Sequence, residues 1–264
     1  MRIYLADRED KHFKLGGARS VLISYYYCQN DDTVLRLKTL EHEVKIFADS
    51  GAFSAESQGA SISIDSYIKW IYKNIDYLEV YSNLDVIGNQ VKTRDNQRIM
   101  EEAGLLPLPV FHIGSSFAEL RRICERYKYI AIGGMVPYMT KANKVRPVVK
   151  KIFEIAGDKR LHGFGCTNWS ILSGFPWYSA DSTTWISGRR FGEVPIFTDR
   201  LFRLRFGNWK EWRKHRRLIE DMGYDWKKLC NHSERDLEYL LKFSVATFDR
   251  VERALTEKYG DYYN

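Results

Sequence analysis

The sequence predicts an α/β fold, a (β/α)8 TIM barrel with a basic helical C-terminal appendage, on three observations. Short β-rich apolar runs recur as far as residue 180. Segments with apolar residues three and four apart separate them, and beyond residue 195 the chain turns basic. Strands alternating with helices argue for a parallel sheet, and eight strands close a (β/α)8 barrel. An open doubly wound sheet is the alternative.

The runs come in order as RIYLA (2–6), SVLISYYY (20–27), VKIFA (44–48), YLEVYSN (77–83), LPLPVF (106–111), YIAIG (129–133), RLHGFG (160–165) and WYSA (177–180). The first two could also pair as a hairpin, and 28–43 is only weakly helical. Between the later runs, 63–75, 115–127 and 143–156 carry the spacing of helices that pack on a sheet. No repeat or low-complexity linker interrupts the chain before residue 195. The expected division is a barrel core over 1–195 and a basic helical extension over 196–264.

At 44% apolar and 14% aromatic, the 264 residues suit a large folded core rather than a disordered chain. No apolar run reaches the ~18 residues of a membrane helix, and the start, MRIYLADREDK, is too charged for a signal peptide. Cys28, Cys124, Cys166 and Cys230 are widely spaced without a CxxC pair, which fits reduced thiols and a cytoplasmic location. Cys230 and His232 form a lone CxH, short of the four ligands of structural zinc. The expectation is therefore no cofactor, with zinc kept as a disfavoured alternative.

Between 189 and 217 ten Lys/Arg face three acids, an excess equal to the +7 net charge of the whole chain. Arg189, Arg190, Arg203, Arg205, Lys210, Arg213, Lys214, Arg216 and Arg217 lie in this block, with Phe206, Trp209 and Trp212 among them. Cations interleaved with aromatics suit a phosphate backbone and an unstacked base. A solvated helix face is the plainer explanation.

In a barrel, function lies at the C-terminal ends of the strands. The third run leads into FADSGAFSA (47–55), ending at Asp49. The later runs end at Asp85, His112, Gly133-Gly134-Met135, His162 and Asp181. One Asp there is a turn-former, whereas three carboxylates and two imidazoles at successive ends make a pocket. No serine sits in a G-x-S-x-G elbow, and Gly133-Gly134 lacks the third glycine of a dinucleotide fingerprint. The natural use of that pair is close approach of backbone N–H groups to a planar ligand.

These ends, in this order, resemble the tRNA-guanine transglycosylase superfamily, most of all its compact members that insert 7-deazaguanines into DNA in phages and bacteria. Asp49-Ser50-Gly51-Ala52-Phe53 stands where the family has DSGGFQ, and Ala131-Ile132-Gly133-Gly134-Met135 where it has AIGGL. Leu161-His162-Gly163-Phe164-Gly165 echoes LMGVG, and Asp181-Ser182-Thr183-Thr184 takes the place of the nucleophile segment. The resemblance covers roughly 20–190. His112 replaces a family Gln, the PTR after the nucleophile is missing, and so are the zinc ligands of the tRNA enzymes.

The resemblance implies exchange of guanine for a free 7-deazaguanine such as preQ0 through a covalent aspartyl-glycosyl intermediate. Asp181 is then the nucleophile and Asp49 the general acid/base. Asp85 would accept from the Watson–Crick edge, Gly134 and Met135 would offer N–H to O6, and Ser50, His112 and Gly133 would line the base. Phe53 and His162 would sandwich it. Partners are nucleic acid, with DNA ahead of tRNA, and the free base. No membrane is expected, and the dimers of the tRNA enzymes leave a homodimer open. The same chemistry on tRNA, a non-catalytic nucleic-acid-binding accessory barrel and a metal-dependent hydrolase remain as alternatives.

Overall fold

A computed structural model describes residues 1–137, 142–166, 168–231 and 236–263. Eight parallel strands form one curled sheet: β1 (Arg2–Ala6), β2 (Ser20–Ser24), β3 (Lys45–Asp49), β4 (Leu78–Tyr81), β5 (Val110–His112), β6 (Tyr129–Gly133), β7 (Arg160–Gly163) and β8 (Ser179–Ser182). Their order is β4-β3-β2-β1-β8-β7-β6-β5. Every neighbour is thus sequential except β1 and β8, which pair in parallel with Tyr4 opposite Asp181. The first two runs are therefore neighbours in a parallel ladder, not a hairpin.

Alternation along each strand sends successive side chains to opposite faces. Ile3 and Leu5, Val21 and Ile23, Ile46 and Ala48, Ile130 and Ile132 enter the main core beneath the helices. Tyr4, Ala6, Leu22, Phe47, Val110 and Ala131 form a separate cluster on the concave side. That parity decides where the polar strand ends point. Asp49 follows Phe47 by two residues, His112 follows Val110, Gly133 follows Ala131, and Asp181 follows Ser179. All therefore share the concave face, at the carboxyl ends.

Helices over Ile64–Asn74, Gln90–Glu102 and Phe117–Arg126 cover the convex side. Each starts at a capping side chain, Ser63, Asn89 and Ser116, that accepts a first-turn N–H. Such a cap contributes about 1 kcal/mol. The helix Ala142–Ala156 buries Val145, Val149 and Ile152 in the same core. The second run ends early as a strand, because Tyr25–Cys28 turns helical straight after Ser24.

Beyond β8 the chain differs from the expected all-helical stretch. Glu193–Phe197 (β9) and Leu201–Arg205 (β10) form an antiparallel hairpin. Val194, Ile196 and Leu204 point from it into a second apolar cluster with Trp212, Ile219, Trp226 and Leu229. Alternation in LFRLR was the available signal for a strand, masked by its arginines. The long helix Leu237–Tyr263 then belongs to both clusters. Leu240 and Phe243 enter the second one, while Leu241, Val245, Phe248, Val251 and Leu255 enter the main core. Its Glu252 also accepts the Ile3 N–H at 2.7 Å, pinning the start of β1. Among the described residues, no helix is long and apolar enough to cross a membrane.

Candidate active site

Asp49, Asp85 and Asp181 lie at or just past the carboxyl ends of β3, β4 and β8. Burial, then the negative charges of Asp85 and Asp181, push the Asp49 carboxyl up to about 8. Asp49 is half-buried. Its Oδ2 accepts the Gly51 N–H at 3.1 Å, and Ser82 Oγ lies 3.5 Å from Oδ1. Gly51 has a φ of +79°, and a Cβ there would stand 2.2 Å from Ser24 Oγ and 2.6 Å from Tyr26 Cβ. Only glycine fits that turn.

Asp85 lies in the loop after β4. Ser50 Oγ donates to its Oδ1 at 2.9 Å, and His112 Nε2 lies 2.8 Å from its Oδ2. Thr93 and Asn96 of the neighbouring helix hold that loop through Val86 N–H and the Leu84 carbonyl. His112 Nδ1, on the other side of the ring, is buried without a hydrogen-bond partner. Beside Asp85 opens a cavity of about 360 Å³, walled by Ala52, Ala55, Glu56, Ile62, Val86 and Asn96.

Asp181 is held from below. The Gly165 N–H donates to its Oδ1 at 2.7 Å, and His162 Nε2 stands 3.5 Å from the same oxygen. His162 Nδ1 lies 2.7 Å from Ser179 Oγ, which in turn lies 2.6 Å from the Tyr129 hydroxyl. Burial lowers the pKa of His162, which favours the neutral ring.

Several expected roles change on this geometry. His162 has no exposed surface, and Phe47 and Phe164 pack against its ring at 4.6 and 4.7 Å between centroids. It offers no face to a base; it sits under Asp181. Phe53 is 53% exposed and stays open to a ligand. The glycine pair is required by the fold itself. A Cβ on Gly133 would meet the His112 ring at 2.8 Å, and Gly134 has a φ of +76°. Met135 is fully buried beside them.

The basic block is exposed throughout, but most of it is paired. Arg203 and Arg205 both reach Glu193, at 3.2 and 3.5 Å. Lys214 reaches Glu211, Arg216 reaches Glu220 and Arg217 reaches Asp221. Arg189 bonds Glu9 at 2.9 Å, at the carboxyl end of β1 and so on the face of the carboxylates. Arg190, Lys210 and Arg213 are exposed as well. Trp212 is a core residue, fully buried with its Nε1 donating to the Arg205 carbonyl, so it is lost as a stacking surface; Trp209 remains 42% exposed.

Ser82, Ser179 and Tyr129 were not singled out in the sequence, and Gly165 only as part of the Leu161–Gly165 stretch. Ser179 had a signal, since it shares a strand face with Asp181 two residues on. Ser82 had none, being a serine just past a strand. Cys28, Cys166 and Cys230 are buried free thiols, and Cys124 is half-buried. His232 lies outside the described residues. Among those that are described, no group of three or more His, Cys, Asp or Glu is placed to hold a metal ion. No protein-family model matches this chain, and a search of the curated proteins finds no match.

Proposed function

We propose that this chain is a transglycosylase that exchanges guanine in nucleic acid, DNA ahead of tRNA, for a free 7-deazaguanine base. The observation that carries the reading is the unequal treatment of two carboxylates, one of which feels the charge of the other. Asp49 is pushed up to about 8 and so keeps its proton near neutrality, whereas Asp181 is met by a backbone N–H and a histidine. A protonated acid beside an oriented carboxylate is the arrangement that double displacement at C1′ requires.

In this mechanism an Asp181 oxygen bonds to C1′ as the bond from C1′ to the purine breaks. The departing purine takes the bonding pair and the Asp49 proton. The incoming base then gives its ring N–H proton to Asp49 and attacks C1′, which releases Asp181 and restores the enzyme. Asp85, oriented by Ser50 and His112, accepts from the donor edge of either base.

The scaffold of this proposal is a closed barrel. Ser82 bridges Leu108 in parallel, and the Leu108 N–H donates to the Tyr81 carbonyl at 2.8 Å, which links β4 to the approach of β5. The helix Leu237–Tyr263 belongs with this barrel through its main-core residues. The appendage then narrows to the layer over 193–231, built on the second cluster.

Labelled guanine or preQ0, offered with double-stranded DNA, single-stranded DNA and unmodified tRNA, tests the reading, with Asp181→Ala as control. Label retained in DNA and lost in the variant is the expected result. Label in tRNA alone overturns the partner and keeps the chemistry. No label anywhere, with DNA binding intact, replaces the enzyme by an accessory barrel.

A further inference from the structure

Asp181 and Asp49 stand at the ends of β8 and β3, and β1 and β2 lie between them in the sheet. The loops over that interval carry a chain of contacts that the catalytic reading does not use. Arg189, in the helix Ser187–Phe191 after β8, bonds Glu9 after β1 at 2.9 Å. Next to Glu9, the exposed Arg8 holds its guanidinium 5.0 Å from the centre of the Tyr27 ring, after β2. Tyr27 packs edge-on to Tyr26 at 5.1 Å. Gln58, just past the helix that follows β3, meets both phenols, Tyr26 at 3.4 Å and Tyr27 at 3.2 Å. At the β8 end, Arg190 is exposed and Phe191 is 68% exposed.

Along this arc three cations, Arg190, Arg189 and Arg8, lie between aromatic rings at its two ends. Glu9 interrupts the positive charge, but Lys11 at 2.6 Å and Arg189 both neutralise it. In the basic layer further on, Arg203, Arg205, Lys214, Arg216 and Arg217 bond acids of their own region. Aromatic faces and guanidinium planes bind unpaired bases, and free cations track the phosphates.

We infer that the arc from Phe191 through Arg190, Arg189 and Arg8 to Tyr27 and Tyr26 is the track for a single strand of nucleic acid. The inference rests on the nucleic-acid reading above and deepens it. A strand laid along the arc runs from the end of β8 to the end of β3, and so carries one sugar across the opening between Asp181 and Asp49. Its flanking bases stack on Phe191 at one end and on the Arg8–Tyr27 pair at the other. Unpaired nucleic acid is favoured over a duplex, because a duplex keeps its base faces stacked on one another.

The test is fluorescence anisotropy of a labelled mixed-sequence single-stranded DNA, run beside the same sequence as a duplex. The variants are Tyr27→Ala, Tyr27→Phe, Arg8→Ala, Phe191→Ala and the pair Arg216→Ala with Arg217→Ala, each first matched to the parent in thermal unfolding. Single-stranded DNA is expected to bind more tightly than duplex. Tyr27→Ala and Phe191→Ala should each weaken it about tenfold, the scale of one lost base–aromatic stack. Arg8→Ala should weaken it and flatten its salt dependence, while Tyr27→Phe, which keeps the ring, should bind as the parent does. Arc variants that bind normally while the Arg216/Arg217 pair fails would overturn the track in favour of the basic layer. Equal or tighter duplex binding, or no binding by the parent, also overturns it. Base exchange is measured separately, so absence of exchange with arc-dependent binding sinks the catalytic reading alone.

Discussion

At the carboxyl ends of the strands, Asp85 and Asp181 lie close enough to Asp49 for their charges to raise its pKa. In the layer over 193–231, by contrast, charges of both signs lie toward solvent and several form exposed pairs. The first region puts like charges together on a rigid sheet, an arrangement that costs stability and persists where a reaction uses it. Pairs of the second kind contribute about 0–1 kcal/mol each, so that layer is held by Trp212, Ile219 and Leu229 rather than by its ions. Concentrated charge in a sequence therefore says less about chemistry than a few acids fixed by strand parity.

The sharpest way to break this contrast is at Asp181. Asp181→Ala should cut base exchange by at least about a thousandfold, as loss of a covalent nucleophile does, while denaturant unfolding stays near the parent. A variant that still exchanges at near-parent rates would remove Asp181 from the chemistry. Asp49→Asn comes next, with an expected loss of about 10²–10⁴ in exchange rate, the range for a general acid.

Asp49 also sets a pH dependence whose sign is fixed. Its folded pKa of about 8 lies above the ordinary 3.8. Between those values the folded chain holds a proton that the unfolded chain has released, so stability falls as pH rises through that window. Urea midpoints from pH 4 to pH 8 should decline in the parent and decline less in Asp49→Asn. Exchange by the parent should also fall as pH passes about 8, when the acid loses its proton.

Gly51→Ala probes the same region through its backbone. The positive φ and the approach to Ser24 and Tyr26 should destabilise the fold by about 1–3 kcal/mol, read from chemical denaturation. The smallest effect is expected in the basic layer. Arg217→Ala breaks only a 3.9 Å pair between exposed partners and should move stability by less than about 0.5 kcal/mol. A large loss there would erase the difference between the two regions.

Much of the curled sheet was legible in the sequence. YIAIG and RIYLA coincide with strands, and the runs around Asp49 and Asp181 are displaced by only one or two residues. The apolar alternation that buries one face on helices is local, and so is the turn chemistry that ends each strand. What could not be read is whatever depends on distant packing. The zero exposure of His162 follows from Phe47 and Phe164, on another strand and in a loop. Trp212 looked like a free stacking surface because its neighbours are lysine and arginine, yet its ring closes the second cluster. The β9–β10 hairpin was hidden for the same reason, its outward arginines outweighing its inward Val194, Ile196 and Leu204.

The pairing of β1 with β8 has a consequence for the order in which the molecule assembles. Asp49, Ser50, Ser82 and Asp85 come from the first third of the chain, and their contacts with one another need only β3 and the loops that follow β3 and β4. Asp181 is aligned opposite Tyr4, so its strand finds its second neighbour only when the first and last of the eight strands meet. Contacts between such distant segments carry the largest loop-closure cost and form slowly. A refolding chain should therefore build the Asp49–Asp85 half of its site first and gain Asp181 last. Recovery of base exchange would time the joining of the sheet's first and last strands.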